Sequence, residues 1–351
     1  MNPNRTRNAV AMAAAITMAT HASMDSITQT LTLPSIDSAV PREFRGEIHA
    51  FNDSRIAEGH FVQPLTEFAV GGWNRTDLEE ELQFLAPEVL VPRKFGYRVF
   101  SNPEQFYSDP NEDLREIGGD FKRVEITSTK TEGTTLNRGL CVFLDDDEIE
   151  DDPGWEQRNV SMLIRRIKLN AVRRAMALIS ATAVSTNRTW STPGNTIDPD
   201  NDIRVSLKTA QNLSGLRPNR VIYGQTAADL RFACYRTDGN AARFLSSAVT
   251  MEQWKNTLAV AGIRVSETRY QSTASAKTEV LGSNVLSFYQ TNSPSKEDPS
   301  NIKRFVSQCK GGGPLRVFKY KIGDKTNVIG VEHYELLTAT YASGVRLDVI
   351  G

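Results

Sequence analysis

"CVFLDDDEIEDDPGWEQRNVSMLIRRIKLNAVRRAMAL" (Cys141–Leu178) runs from an apolar strand-like start through an acidic run, Asp145 to Asp152, into the strongest helical pattern of the chain. Over residues 154–186, Val160, Leu163, Ile164, Ile167, Ala171, Ala175, Leu178 and Ile179 recur at steps of three and four, which predicts one long amphipathic helix. Arg158, Arg165, Arg166, Arg173 and Arg174 fill the other positions. Carboxylates before the helix suit the positive end of its dipole, and Pro153 suits its first turn. At 1.5 Å per residue such a helix is about 45 Å long. That exceeds an ordinary globular helix and reads as a spine on which other elements hang.

Upstream, "GDFKRVEITSTKTEGTTLNRGLCVFLDDDEIEDD" (Gly119–Asp152) reads as two strands, with β-branched residues throughout and a turn offered by Gly133. Few apolar residues stand on either face before Leu140, and a strand pair that buries nothing is marginal in water. The expectation is that this arm packs against other copies of the chain. Together with the polar, turn-rich stretch at 101–120, residues 93–150 read as a long two-stranded excursion. Residues 77–92 read as a helix with an Asp77 N-cap and Glu79 to Glu81 in its first turn, ended by Pro87 and Pro92. Residues 1–60 are short broken elements that read as an extended arm. Arg5 and Arg7 before an Ala/Met/Ile run imitate a secretion signal. Alanine and threonine make a poor apolar region, so the reading preferred is an Ala-rich helix in that arm.

Downstream an α/β alternation begins near residue 204. "DIRVSLKTAQNL" reads as a helix and "NRVIYG" as a buried strand. "QTAADLRFACYR" is a helix with Thr226 and Asp229 at capping-box spacing, and "TMEQWKNTLAVAG" is another helix. "GIRVSE" and "NVLSFYQ" are strands, and "RYQSTASAKTE" between them is a polar loop. "CKGGGPL" breaks the chain as a turn between domains. The end, from Leu315, is strand-rich, with "VRLDVI" expected to lie in a sheet.

The 351 residues carry 41 basic and 42 acidic side chains, a formal net charge of -1, so no global basic excess points to nucleic acid. Hydrophobic residues make up 39% and charged residues 24%, as in globular proteins. No apolar run approaches the roughly 20 residues that span a bilayer. Cys141, Cys234 and Cys309 are far apart and odd in number, which argues for a reducing compartment; Cys141 and Cys234 read as core residues.

Catalytic motifs fail one by one. "DDDEIEDD" lacks the glycine and spacing of a calcium loop and reads as a solvated cluster at a helix start. "CKGGGPLR" lacks the Gly-Lys-Ser/Thr ending of a phosphate loop. His21, His49, His60 and His333 are isolated, and His333 reads as structural. Ser343 has no base partner and no G-x-S-x-G around it. The spine arginines suit either phosphate or ion pairs with neighbouring carboxylates. No catalytic, cofactor-binding or metal-ligating residue is assigned, and the chain is not read as an enzyme.

The order of parts, together with "LAPEVLVPRKFGYRVF", the spine-entry stretch quoted first, "LRPNRVIYGQTAADLR" and "GVEHYELLTATYASGVRL", resembles the major capsid proteins of tailed bacteriophages, the Hong Kong 97-type fold. The resemblance implies an α+β chain. An N-terminal arm would cover 1–76, a lead-in helix and extended loop 77–150, and a peripheral domain with the spine 151–204. An axial domain would cover 205–311, and return strands of the peripheral domain 312–351. It implies self-assembly into pentamers and hexamers of an icosahedral head, located in the virion and assembled in the host bacterial cytoplasm. Partners would be scaffolding, portal and decoration proteins, with double-stranded DNA held by weak non-specific contact and no membrane. An encapsulin-like nanocompartment shell is the alternative role for the same fold. Some family members cross-link subunits through a lysine and an asparagine. Lys122, Lys130 and Asn327 lie in the corresponding regions, but no motif fixes a pair.

Overall fold

The computed structural model describes residues 61–73, 77–100, 114–115, 117–120, 128–190, 197–236, 249–310, 312–342 and 344–350. Residues 1–60 of the expected N-terminal arm, most of the excursion's tip, Lys122, His21, His49, His60 and Ser343 lie outside them, while 63–73 of that arm form a helix packed on the spine.

The spine is present as α4, Trp155–Thr182, preceded by α1 (Gln63–Trp73), α2 (Asp77–Leu85) and the short α3 (Asp146–Ile149). Its apolar stripe is buried in two halves. Val160, Leu163, Ile164 and Ile167 pack with Leu65, Ala69 and Trp73 of α1 against one sheet. Ala171, Val172, Ala175, Met176 and Ile179 pack with Leu82 and Leu85 of α2 against another. Burying such side chains contributes about 1.5–3 kcal/mol each, so the stripe ties both sheets to one rod. The helix stops at Thr182 rather than 186, because Val184–Thr189 is drawn into a strand, β5.

The first sheet comprises β1 (Glu88–Leu90), β11 (Ile302–Ser307), β13 (Thr326–Ala339) and β12 (Leu315–Ile322), with β4 (Leu136–Asp145) on the other side of β13. β13 is long enough to pair with β12, β11 and β4. Leu315, Val317, Ile329 and Val331 face the spine, with Leu140, Val142 and Leu144 beside them. Period-two alternation therefore turns Cys141 and Phe143 outward. Cys141 is exposed, not a core residue as its apolar neighbours suggested, whereas Cys234 is buried as expected.

The second sheet runs β5, β14 (Val345–Ile350), β10 (Asn284–Phe288), β6 (Arg220–Gly224), β7 (Gly262–Ser266). Ile222, Leu286 and Phe288 face the spine. Val221, Tyr223, Val285, Val345 and Leu347 face α5 (Pro199–Ser214), α6 (Gln225–Arg236) and α7 (Met251–Leu258). With both faces covered, its inner strands are apolar throughout, as "RVIYG" shows. "VRLDVI" is held in a sheet as expected, and pairing crosses the expected boundaries: β5 and β14 join the strands of 220–288, while β11 joins β12 and β13.

Three local expectations are corrected. The polar loop at 269–279 is a hairpin of β8 (Arg269–Gln271) and β9 (Lys277–Glu279), since a short exposed ribbon needs no apolar residues. The capping box sits at Thr250 and Gln253 instead of Thr226 and Asp229; the Thr226 hydroxyl donates to Glu279 of that hairpin. "CKGGGPL" joins β11 and β12 within one sheet rather than bridging domains, closed by the Cys309 N–H donating to the Gly313 carbonyl at 2.9 Å.

Candidate functional site

The candidate site is the two-stranded excursion, whose described root is well defined. β2 (Lys94–Val99) pairs antiparallel with β3 (Thr129–Thr134), from Lys94 opposite Thr134 to Val99 opposite Thr129. No turn occurs at Gly133. The strand continues, because Gly133 lets the rings of Phe95 and Tyr97 and the methyl of Leu336 close over the backbone, where a Cβ would meet each at 3.0–3.1 Å. The chain switches sheets at Thr135, which is buried; its hydroxyl shares a hydrogen bond with Ser307 at 2.9 Å, and its N–H donates to the Arg93 carbonyl at 3.0 Å. β4 then pairs with β13, not with β3.

The expectation that the arm packs only against other copies is therefore corrected at its root. Phe95, Tyr97 and Phe305 form an aromatic triangle with centroids 4.6, 5.3 and 5.9 Å apart, seated on Val89 and Val91. These rings occupy one end of an otherwise polar ribbon, so a count of apolar residues along β3 misses them. Farther out, Thr129, Lys130 and Glu132 are exposed. The Arg98 guanidinium donates to Ser128 at 2.7 Å and lies 3.7 Å from Glu297, and the Arg98 and Phe100 N–H groups donate to the Lys296 and Thr340 carbonyls at 3.2 and 2.9 Å, holding this end of β2 to the body.

Beneath the root lies a buried charge hub that the sequence concealed. Glu79, read as a dipole partner in the first turn of α2, is buried. It accepts from Lys168 of the spine and from Arg304 of β11 at 2.7 and 3.3 Å, and Arg304 also reaches Glu88 of β1 at 3.1 Å. Burial works against the Glu79 carboxylate, yet the hydrogen bonds and charges of Arg304 and Lys168 hold it below its ordinary range. Burial pushes Lys168 down to about 8 against the pull of Glu79, and its ammonium also rests 3.5 Å over the Trp73 ring. Four elements are thus pinned at one point.

The remaining sequence motifs take structural places. The acidic run forms α3, with Asp145 capping Asp147; Asp146 pairs with Lys321 at 2.7 Å and accepts from the Asn327 amide. Asp147 faces Lys325 at 3.6 Å, and Asp152 pairs with Arg158. These are ion pairs of an exposed helix start, worth little individually. Asn327 is buried and engaged in its own chain, while Lys130 is exposed on β3. Arg174 pairs with buried Glu335 at 2.8 Å, and Arg173 lies 3.8 Å over the Tyr270 ring. His333 is buried against Trp73, with centroids 5.3 Å apart. Among the described residues, no group of three His, Cys, Asp or Glu side chains is placed to hold a metal ion, and no helix is long and apolar enough to cross a membrane.

The architecture of a spine helix, two sheets and a two-stranded arm is the Hong Kong 97-type α+β fold expected from the resemblance. Among solved structures, the chain is similar to a phage-related protein from Bordetella bronchiseptica, at 17% identity and TM-score 0.59, over 82% of this chain and 97% of that one. It is also similar to a virus-like particle from Pyrococcus furiosus (12% identity, TM-score 0.48, 82% and 98% covered). A putative capsid protein of a prophage of E. coli is a further relative in shape (11% identity, TM-score 0.46, 81% and 99% covered). No family model and no curated protein matches the chain. At such identities a shared shape establishes a shared fold and nothing beyond it.

Proposed function

We propose that the chain is a shell-forming subunit, the major capsid protein of a tailed-phage head. The observation that supports this most is the fold held in common with a phage-related protein over nearly all of that chain. A ribbon fastened at its root by an aromatic triangle, with the strand beyond it exposed, suits an element that lies across a neighbour. Exposed apolar side chains on the helices of the second sheet (Val205, Leu213, Phe232, Met251) suit contacts between copies around a symmetry axis. On this reading the second sheet and its helices form the axial domain, enlarged by β5 and β14. The spine and first sheet form the peripheral domain. The near-neutral charge suits a wall that holds packaged double-stranded DNA only weakly, and the role is structural, not enzymatic. Scaffolding, portal and decoration proteins are the partners this role calls for, and the virion is the location.

The test is negative-stain electron microscopy with sedimentation velocity on the same full-length sample, alone and with the neighbouring phage assembly proteins. Shells, rings or tubes are the expected products. A particle that stays monomeric at high concentration, with those proteins present, refutes the proposal.

A further inference from the structure

The spine and the inward face of the first sheet close tightly along Leu140, Val142 and Leu144. Toward the start of β4 the contact opens into a cleft of about 280 Å³, lined by Asn137, Arg138, Ile167, Asn170, Arg174 and His333 among others. Local structure dictates this grouping. Arg138 and His333 are directly opposite in the β4–β13 register and so share a face. Ile167, Asn170 and Arg174 follow at helical steps of three and four on the spine.

Positive charge is in excess there. Among the described residues no carboxylate lines the cleft; the buried Glu335 beside it is already taken at one oxygen by Arg174 at 2.8 Å. Arg138 makes no hydrogen bond or ion pair with a described residue, and its Nε is buried without a partner, as is that of Arg174. His333 is 1% exposed, neither ring nitrogen has a hydrogen-bond partner among the described residues, and the Glu335 oxygen nearest to Nε2 is 3.8 Å away. Burial and the charge of Arg174 both disfavour the Arg138 cation, which Glu335 offsets in part. Two guanidiniums and an imidazole around one shared carboxylate leave donors unused, and unused buried donors are costly.

We propose that this cleft is an oxyanion site that takes one carboxylate or phosphate group between Arg138 and Arg174, with His333 behind it. The planar forks of two arginines suit a carboxylate or phosphate oxygen pair. The group comes either from free inorganic phosphate or from an acidic side chain of a second copy of this chain. The site rests on the geometry of one subunit and stands whether or not the shell reading does.

The experiment uses the full-length chain, with Arg138→Gln as the variant, since Arg138 holds no contact whose loss would unfold the protein. Melting is followed in sodium phosphate and in sodium chloride at matched ionic strength. Sedimentation velocity over a tenfold concentration range follows on the same samples. At ten times its Kd, phosphate raises the folding constant about elevenfold, a rise of about 2 °C in Tm over chloride. Arg138→Gln loses that rise while melting no lower than wild type in chloride. If phosphate and Arg138→Gln also weaken self-association, the group belongs to a second copy; if association is unchanged while Tm responds, it is a free anion. The proposal falls if wild type and variant respond alike to phosphate, or if neither Tm nor association responds. It falls equally if Arg138→Gln melts clearly lower in chloride, which would make Arg138 a structural counter-ion of Glu335.

Discussion

Glu79 is an anion on which two buried cations converge, and the two cations are not equivalent. Arg304 holds it with two hydrogen bonds and also reaches Glu88; Lys168 adds one bond and stacks on Trp73. Glu79→Gln leaves two buried cations facing each other, with the partly exposed Glu88 as the remaining hydrogen-bonded carboxylate. Removing one partner of a buried pair costs about 3–5 kcal/mol. Lys168→Met, of similar length and apolar, keeps the Arg304–Glu79 pair and removes an ammonium that burial disfavours. Its expected stability lies within about 1 kcal/mol of wild type. Urea unfolding at pH 7, read by tryptophan fluorescence, measures both, since Trp73 lies against the Lys168 ammonium.

The pH dependence gives a second handle on the same residue. Folded Lys168 loses its proton near 8, against an ordinary value of 10.5. Between those values the unfolded chain binds the extra proton, so this group makes stability rise with pH across that window, by about 3 kcal/mol in all. Below pH 8 the gain is absent. The difference between wild type and Lys168→Met, titrated from pH 7.5 to 10.5, isolates this contribution from tyrosines and cysteines titrating in the same range. Lys168→Met costing as much as Glu79→Gln, or a flat difference across that range, would refute the hierarchy assigned to the hub.

Three further outcomes are expected. Ile167→Asp, at a stripe position 4% exposed, sets an unpaired charge between spine and sheet and costs more than about 4 kcal/mol, seen as loss of the cooperative melt. Gly224→Ala places a Cβ 1.9 Å from the Gly282 carbonyl oxygen, a backbone atom that cannot swing away; a loss of about 3 kcal/mol in urea is expected, and a neutral result would mean that the end of β6 moves freely. Burial opposes ionisation of Glu335, but His333 and Arg174 pull it down to about 2. Its contribution is thus present above its ordinary pKa of 4.5 and lost as pH falls toward 2, and Glu335→Gln should flatten the acid limb of the stability curve by about 3 kcal/mol.

The elements that the residue pattern revealed are those in which one physical cause dominates. The spine's stripe alternates faithfully because it is buried along one side for its whole length, and "NRVIYG" and "VRLDVI" are apolar because their sheet is covered on both faces. What stayed hidden depends on partners distant in the chain. Glu79 sits where an acidic residue ordinarily faces the helix dipole in water, and nothing nearby announces Arg304. The root of the arm is anchored by Phe95 and Tyr97 of β2 and by Phe305, far along the chain, so β3 read by itself looks unsupported. Cys141 follows from register: one residue's shift along β4 would have buried it. The unfilled donors of the cleft carry no local signal, because Arg138 and His333 meet only through strand pairing.

The position of β14 has a consequence for how the protein is made. It lies in the interior of its sheet, parallel to β5 and antiparallel to β10, so β5, synthesised much earlier, cannot join β10, β6 and β7 until residues 345–350 leave the ribosome. Such long-range closure slows folding. It also imposes a quality check during translation: a nascent chain that stops before these residues keeps an open gap in the sheet, presents unsatisfied strand edges to chaperones and proteases, and is withheld from any assembly that needs the finished surface.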